Sequence, residues 1–197
     1  MNKSIKNIII NKSLLSLLLV VILLLVFNVG VFTTEKTNAS SVTVSATVTQ
    51  TVSCNTNVTS TSFGALSSAS VSTASPNATT TVATNDPLGL TLLISDSNHG
   101  LATTSPAYTI PSVSATLAAG TEGYGIQATS SAGVTVSATY NKTGNDVGAL
   151  TTSTQTLASS SGVVSSATVT VTHLAAISAS TPAGSYSDSI TYSCNGN

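Results

Sequence analysis

The 197-residue sequence contains no tryptophan and no arginine, and Asp, Glu, Lys and Arg together make up only 6% of it. The few charges are unevenly placed. Lys3, Lys6, Lys12 and Lys36 precede residue 40, and Lys142 is the only basic residue after it. From Ser40 onward that single lysine stands against Asp86, Asp96, Glu122, Asp146 and Asp188, so this part of the chain is mildly acidic. A nucleic-acid binder needs clustered Lys and Arg to displace counterions from phosphates. That class is excluded.

Catalytic chemistry is equally short of material. His99 and His173 are the only histidines. A nucleophile–base–acid constellation needs a His oriented by a carboxylate, and serine is too abundant here for its proximity to a His to carry weight. The chain has no G-x-S-x-G elbow, H-E-x-x-H, P-loop or paired-carboxylate motif. We therefore expect no enzyme and no cofactor. Asp96-Ser97-Asn98-His99-Gly100 opens like a calcium loop but lacks the closing bidentate Glu, so it reads as a hairpin turn after Leu92-Leu93-Ile94 and no metal site is expected.

What the chain does have is an apolar start. A basic stretch from Met1 to Lys12 precedes Leu14, Leu15, Leu17–Leu19 and the run Val20–Phe27, the order read by export machinery. Thr37-Asn38-Ala39 places small residues where a signal peptidase inspects them, which predicts cleavage between Ala39 and Ser40. The alternative is an uncleaved anchor, since residues 13–32 reach the length of about 20 needed to span a bilayer. Either way the remainder lies outside the membrane, secreted or at the cell surface, because the positive flank stays cytoplasmic. The domains are thus a signal or anchor over 1–39 and a single domain over 40–197.

Period-two alternation dominates that domain, which is the strand signal. Val42, Val44, Ala46, Val48, Val52 and Cys54 share one face of a first strand, with Thr43, Ser45, Thr47, Thr49, Thr51 and Ser53 on the other. Similar runs are Leu88–Ile94, Val134–Tyr140, Ala167–Val171 and Tyr186–Cys194. Shorter candidates are Thr79–Thr84, Val113–Leu117 and Gly123–Thr129, while Leu150–Ser160 reads as strand or loop. Thr and Ser suit a solvated outer face, and Pro, Asn, Asp and Gly clusters supply the turns. About seven to nine strands, each with one apolar face, predict an all-β two-sheet sandwich.

Cys54 and Cys194 are the only cysteines, and each ends the apolar face of its strand. In an exported chain they are expected to form a disulfide; the alternative is two buried thiols. Joining first strand to last, such a bond would stabilise the fold by about 4–5 kcal/mol in the chain-entropy model. Asn57-Val58-Thr59, Asn77-Ala78-Thr79 and Asn141-Lys142-Thr143 match the N-x-[ST] pattern, which arises easily in so Ser/Thr-rich a chain. Among the aromatics, Tyr108, Tyr124 and Tyr140 are the rings to inspect. Tyr124, flanked by Gly123 and Gly125, is the candidate ligand contact, since glycines permit close approach.

Two segments resemble the spore coat protein U family. Val42-Thr-Val-Ser-Ala-Thr-Val48 with Val52-Ser-Cys54 and Phe63-Gly64 is similar to that family's opening, and Thr181-Pro-Ala-Gly-Ser-Tyr-Ser-Asp-Ser-Ile-Thr-Tyr192 to its closing strand. The resemblance implies an exported immunoglobulin-like (pilin-like) β-sandwich, related to subunits that polymerise by donating an N-terminal strand to a neighbour, a form of β-strand addition. The chain departs from the family in two ways. Its second cysteine lies on the last strand, and its first strand begins at the cleavage site, leaving little separate donor segment.

These readings converge on a non-catalytic structural or adhesive surface protein, a fibre, pilus-like or coat subunit whose partner is another copy of itself or another surface protein. The alternative is a membrane-anchored monomeric module that binds glycans or another cell surface. It is held back by the scarcity of aromatics, three Phe and five Tyr.

Overall fold

The computed structural model describes Lys12, residues 14–24 and residues 38–197, in two units, Met1–Ala46 and Thr47–Asn197. In the first unit, Lys12 and residues 14–24 are helical with exposed side chains, and residues 38–46 hold no strand. Among the described residues no helix is long and apolar enough to cross a membrane. The basic start of the expected signal, residues 1–11, and its continuation over 25–37 lie outside the described residues. Ala39 and Ser40 are described and exposed.

The second unit is all-β. Its longer strands are β1 (Val52–Thr56), β3 (Ala78–Thr84), β4 (Leu90–Asp96), β5 (Gly100–Thr104), β6 (Ala107–Pro111), β8 (Gly123–Ser130), β11 (Gln155–Ser159), β12 (Val164–Ala176) and β13 (Ile190–Gly196). Four two-residue pieces complete it: β2 (Ser72–Thr73), β7 (Ala115–Thr116), β9 (Thr135–Val136) and β10 (Asp146–Val147). One antiparallel sheet runs β1-β3-β12-β8, with β2 beside the far end of β12; the other runs β13-β4-β11-β9. β5 pairs with β6, and β7 with β10. Across the two sheets β1 lies against β13, β3 against β4 and β8 against β9.

Alternation explains the pairing of these faces. In β4, Leu90, Leu92, Ile94 and Asp96 are buried while the residues between them are half-buried. In β3 the inward set is Ala78, Thr80, Val82 and Thr84. The two buried threonines find partners: Thr80 Oγ1 bonds Thr56 Oγ1 at 2.9 Å, and Thr84 Oγ1 donates to the Thr51 carbonyl at 3.0 Å. Val82, Leu92, Ile94, Leu157 and Val169 join one core shared by both sheets. Each such side chain contributes about 1.5–3 kcal/mol on burial.

β12 shows how the same alternation serves two cores. Val169, Val171 and Ala175 face the main core, whereas Leu174 and Ala176 pack with Leu117 and Val147 in a smaller cluster on the other face. A bulge between Val164 and Ala167 adjusts its register against β3, and another between Thr156 and Ala158 lets adjacent Leu157 and Ala158 both be buried.

The expected first strand is corrected. Pairing begins at Val52, opposite Thr84, the last residue of β3. The turn Asn85-Asp86-Pro87 ends β3 there; Thr49, Gln50 and Thr51 hydrogen-bond to Asn85 and Asp86, and residues 38–51 lie in no strand. Similarly, Leu88 is exposed in a turn, the Val134 run pairs only at Thr135–Val136, and the last strand starts at Ile190 instead of Tyr186. The expected hairpin at Asn98 is also corrected, because β4 and β5 take different partners, β13 and β11 for β4 and β6 for β5.

Candidate functional site

Ten residues that pack on the main core stay only partly buried: Val52, Cys54, Val58, Phe63, Leu66, Ile177, Tyr186, Ile190, Tyr192 and Cys194. All lie in β1, in β13 or in the segments that follow the first and precede the second. These are the outermost strands of the two sheets on one side. The core is therefore well covered around β12 and β4 and thinly covered along a seam between β1 and β13.

The two ends of this seam differ. At one end Cys54 and Cys194 are joined in a disulfide with Cα atoms 6.1 Å apart. Register explains it, because Cys54 is opposite Val82 on β3 and Cys194 opposite Leu92 on β4, two neighbours in the core. The other end opens into a cavity of about 710 Å³ walled by Phe63, Leu66, Leu101, Ile110, Ile177 and Ile190.

Tyr124, His173 and Asp188 also line that cavity. Tyr124 OH and His173 Nδ1 share a hydrogen bond of 2.9 Å, and their rings stack 5.9 Å apart. Phe63 meets Tyr124 edge-on at 6.2 Å. Burial lowers the His173 imidazole to about 4 and raises the Tyr124 phenol well above its ordinary value, since each charged form would lose its hydration. Burial, then the neighbouring Asp96 charge, raises the Asp188 carboxyl.

Several buried oxygens here have no partner: both carboxylate oxygens of Asp96, Asp188 Oδ2, Tyr192 OH and Thr61 Oγ1. Asp96 is only 5% exposed. It sits at the end of the inward face of β4, opposite Ile190 of β13. Its orientation corrects any calcium-loop reading of Asp96–Gly100, because the carboxylate turns to the interior and away from the loop. Among the described residues no group of three His, Cys, Asp or Glu could hold a metal ion.

The aromatic candidates separate. Tyr124, the candidate ligand contact, is 2% exposed and stands in the core on the cavity wall. Its bulk closes the core where Gly123 and Gly125 leave room for Leu117 and Val147. Tyr140 is buried as well, donating to the Ala149 carbonyl at 3.1 Å. Tyr108 is exposed, donates to Glu122 at 2.8 Å and meets Tyr186 edge-on at 6.5 Å. Desolvation pushes Glu122 up, yet hydrogen bonds from Thr181, Tyr108 and Ser178 outweigh it and hold the carboxyl below its ordinary value. His99 lies in an exposed turn with φ 56°. Asn57, Asn77 and Asn141 are exposed.

The unpaired segment carries a signal of its own. Val42, Val44 and Val48 are 84%, 89% and 84% exposed. Val42-Thr-Val-Ser-Ala-Thr47 recurs identically as Val134-Thr-Val-Ser-Ala-Thr139, which contains β9, and Ser45-Ala-Thr-Val-Thr49 recurs as Ser166-Ala-Thr-Val-Thr170 within β12. The same words that form strands in both sheets are spelled out again with no strand beside them. Compared with family models, curated proteins and solved structures, the chain has no match.

Proposed function

We propose that this chain is a non-catalytic, extracytoplasmic structural or adhesive surface protein, a subunit that assembles by strand addition. The valine-exposing segment 42–48, which lies in no strand, together with a core thinly covered along the β1–β13 seam, carries this reading. A seam that lacks a covering strand and a strand that lacks a sheet are complementary, and backbone pairing with alternate side chains in a groove is how β-strand addition gains affinity and register. The immunoglobulin-like sandwich is supported by the strand orders β1-β3-β12-β8 and β13-β4-β11-β9, with β13 left at an edge.

A disulfide joining chain-distant cysteines is typical of oxidising compartments, which supports export. The non-catalytic reading is supported by His173, buried and hydrogen-bonded through Nδ1 to Tyr124, with no carboxylate among its hydrogen-bond partners. The test is assembly of the protein recovered from the cell surface. Detergent-resistant oligomer ladders should form and should vanish on deletion of residues 40–49. A mature chain that stays monomeric at high concentration overturns the proposal.

The cavity favours a second reading, a module binding glycans or another surface. Tyr186 lines the cavity and exposed Tyr108 meets that ring edge-on, so these are the rings to test. Glycan-array binding lost in Tyr108→Ala, in protein lacking residues 40–49, would favour it.

A further inference from the structure

The cavity end of the seam holds a charge problem. Asp96 is almost fully buried, and neither of its carboxylate oxygens has a partner. Asp188 uses Oδ1 to accept from Ser97 N at 3.3 Å, Ser97 Oγ at 3.1 Å and Ser189 N at 2.9 Å, while Oδ2 is buried without a partner. The hydroxyl of Tyr192, on the same inward face of β13 as Ile190, is unpartnered too. An ionised carboxylate accepts and never donates, so this cluster calls for a cation or for several donors from outside it.

The candidates within the mature chain are few. Lys142 is the only lysine or arginine after residue 40, and it pairs with Asp146 at 3.9 Å. His173, lowered to about 4 by burial, is neutral at neutral pH. Tyr124 from β8 and Tyr192 from β13 face the cluster as uncharged phenols, and Tyr140 feels Asp96 in the same way. Besides His99, exposed in the turn that follows Asp96, the remaining cation is the α-ammonium that cleavage after Ala39 would create on Ser40.

We propose that the Ser40 α-ammonium of one copy docks against the Asp96–Asp188 pair of a second copy, with its residues 42–48 lying parallel to β13 and running toward the disulfide. This rests on the strand-addition reading and deepens it by naming orientation and anchor. Strand geometry supports the fit. Ser40 precedes Val42 by two residues, about 7 Å in an extended chain. Asp188 precedes Ile190 by the same two. Every second residue then faces the seam, so Val42, Val44 and Ala46 meet Ile190, Tyr192 and Cys194 in turn. The smallest of them, Ala46, falls at the disulfide end, and Val42 enters at the cavity end.

The experiment uses mature protein and periodate, which converts an N-terminal serine to a neutral glyoxylyl group and spares internal serines. The treated protein should need about thirtyfold or more concentration to reach half-assembly, as for losing one partner of a buried charge pair. A variant with Asp96→Asn and Asp188→Asn should assemble indifferently to periodate, and a chelator should leave parent assembly unchanged. Equal assembly before and after treatment overturns the ammonium anchor. So does a chain that resists periodate, since it does not begin at Ser40, or assembly abolished by chelator and indifferent to periodate, which assigns the carboxylates to a divalent cation. Strand addition is read out separately: assembly that persists without residues 40–49 removes that reading, whatever periodate does.

Discussion

Ser45-Ala-Thr-Val-Thr-Gln-Thr51 and Ser166-Ala-Thr-Val-Thr-Val-Thr172 differ at one position, Gln50 against Val171. The second lies in β12, between β3 and β8, with Val169 and Val171 both at 0% exposure. In the first, Val48 is 84% exposed and nothing pairs with it. Propensity and pattern are shared, so they cannot account for the difference. Partners account for it. β12 has β3 beside Val164–Val171 and β8 beside Val169–Ala176, whereas Thr49, Gln50 and Thr51 bond the turn at Asn85 and Asp86 and residues 42–48 lie in no strand. β-propensity measured in a host protein largely reports fit against neighbours, and this chain holds both arms of that comparison.

The largest test concerns the seam. Replacing both cysteines, Cys54→Ala with Cys194→Ala, should cost about 5 kcal/mol in urea unfolding for a sequence separation of 140 residues. Deleting residues 40–49 should leave the urea midpoint of the monomer where it was. A deletion that lowers the midpoint as far as the cysteine replacements do would break the comparison, because the free segment would then belong to the monomer's own fold.

Next comes pH, acting through the inner face of β12. His173 falls from an ordinary 6.5 to about 4 in the folded chain, so between those values the unfolded chain binds the extra proton. Its contribution is present in full above about pH 6.5 and is lost as pH falls to about 4, some 3 kcal/mol in all. Asp188, raised in the folded state, acts with the opposite sign: its burial favours the protonated form and weakens the fold as pH rises past the ordinary carboxyl range. Urea titrations across this range should therefore show the acid loss flattened in His173→Gln and steepened in Asp188→Asn. An unchanged profile in His173→Gln would remove the buried imidazole from the account.

The smallest effect sharpens the comparison most directly. Val169→Ala should cost about 2 kcal/mol through lost burial and the cavity left behind. Val48→Ala, in the same local sequence, should stay within about 0.5 kcal/mol for the monomer. Thermal unfolding at low protein concentration reads both, and equal costs would show that residues 42–51 are packed in solution.

Much of the sheet structure was legible. The runs through Leu90–Ile94, Ala167–Val171 and Ile190–Cys194 became β4, part of β12 and β13, because each repeats apolar residues at every second position. Cys54 and Cys194 stood out on their apolar faces before any pairing was known. The candidate site was barely legible. Tyr124 drew attention through its flanking glycines, but those glycines make room for Leu117 and Val147 and leave the ring inside the core. Asp96 looked like the first residue of a loop, and only its place on the inward parity of β4 shows that it is buried beside Asp188, 92 positions later. The repeats of Val-Thr-Val-Ser-Ala-Thr were in plain view, yet period two alone cannot distinguish a strand with neighbours from one without.

Composition and alternation by themselves determined that this chain is all-β, poor in charge, and furnished with two cysteines on inward faces, because those properties follow from residue chemistry and a two-residue period. Which alternating runs become strands was decided by tertiary structure, because a strand exists only where another edge offers hydrogen bonds in register. The same reason left residues 38–51 outside any strand, the β1–β13 seam thinly covered, and buried Asp96 with half-buried Asp188 at its open end.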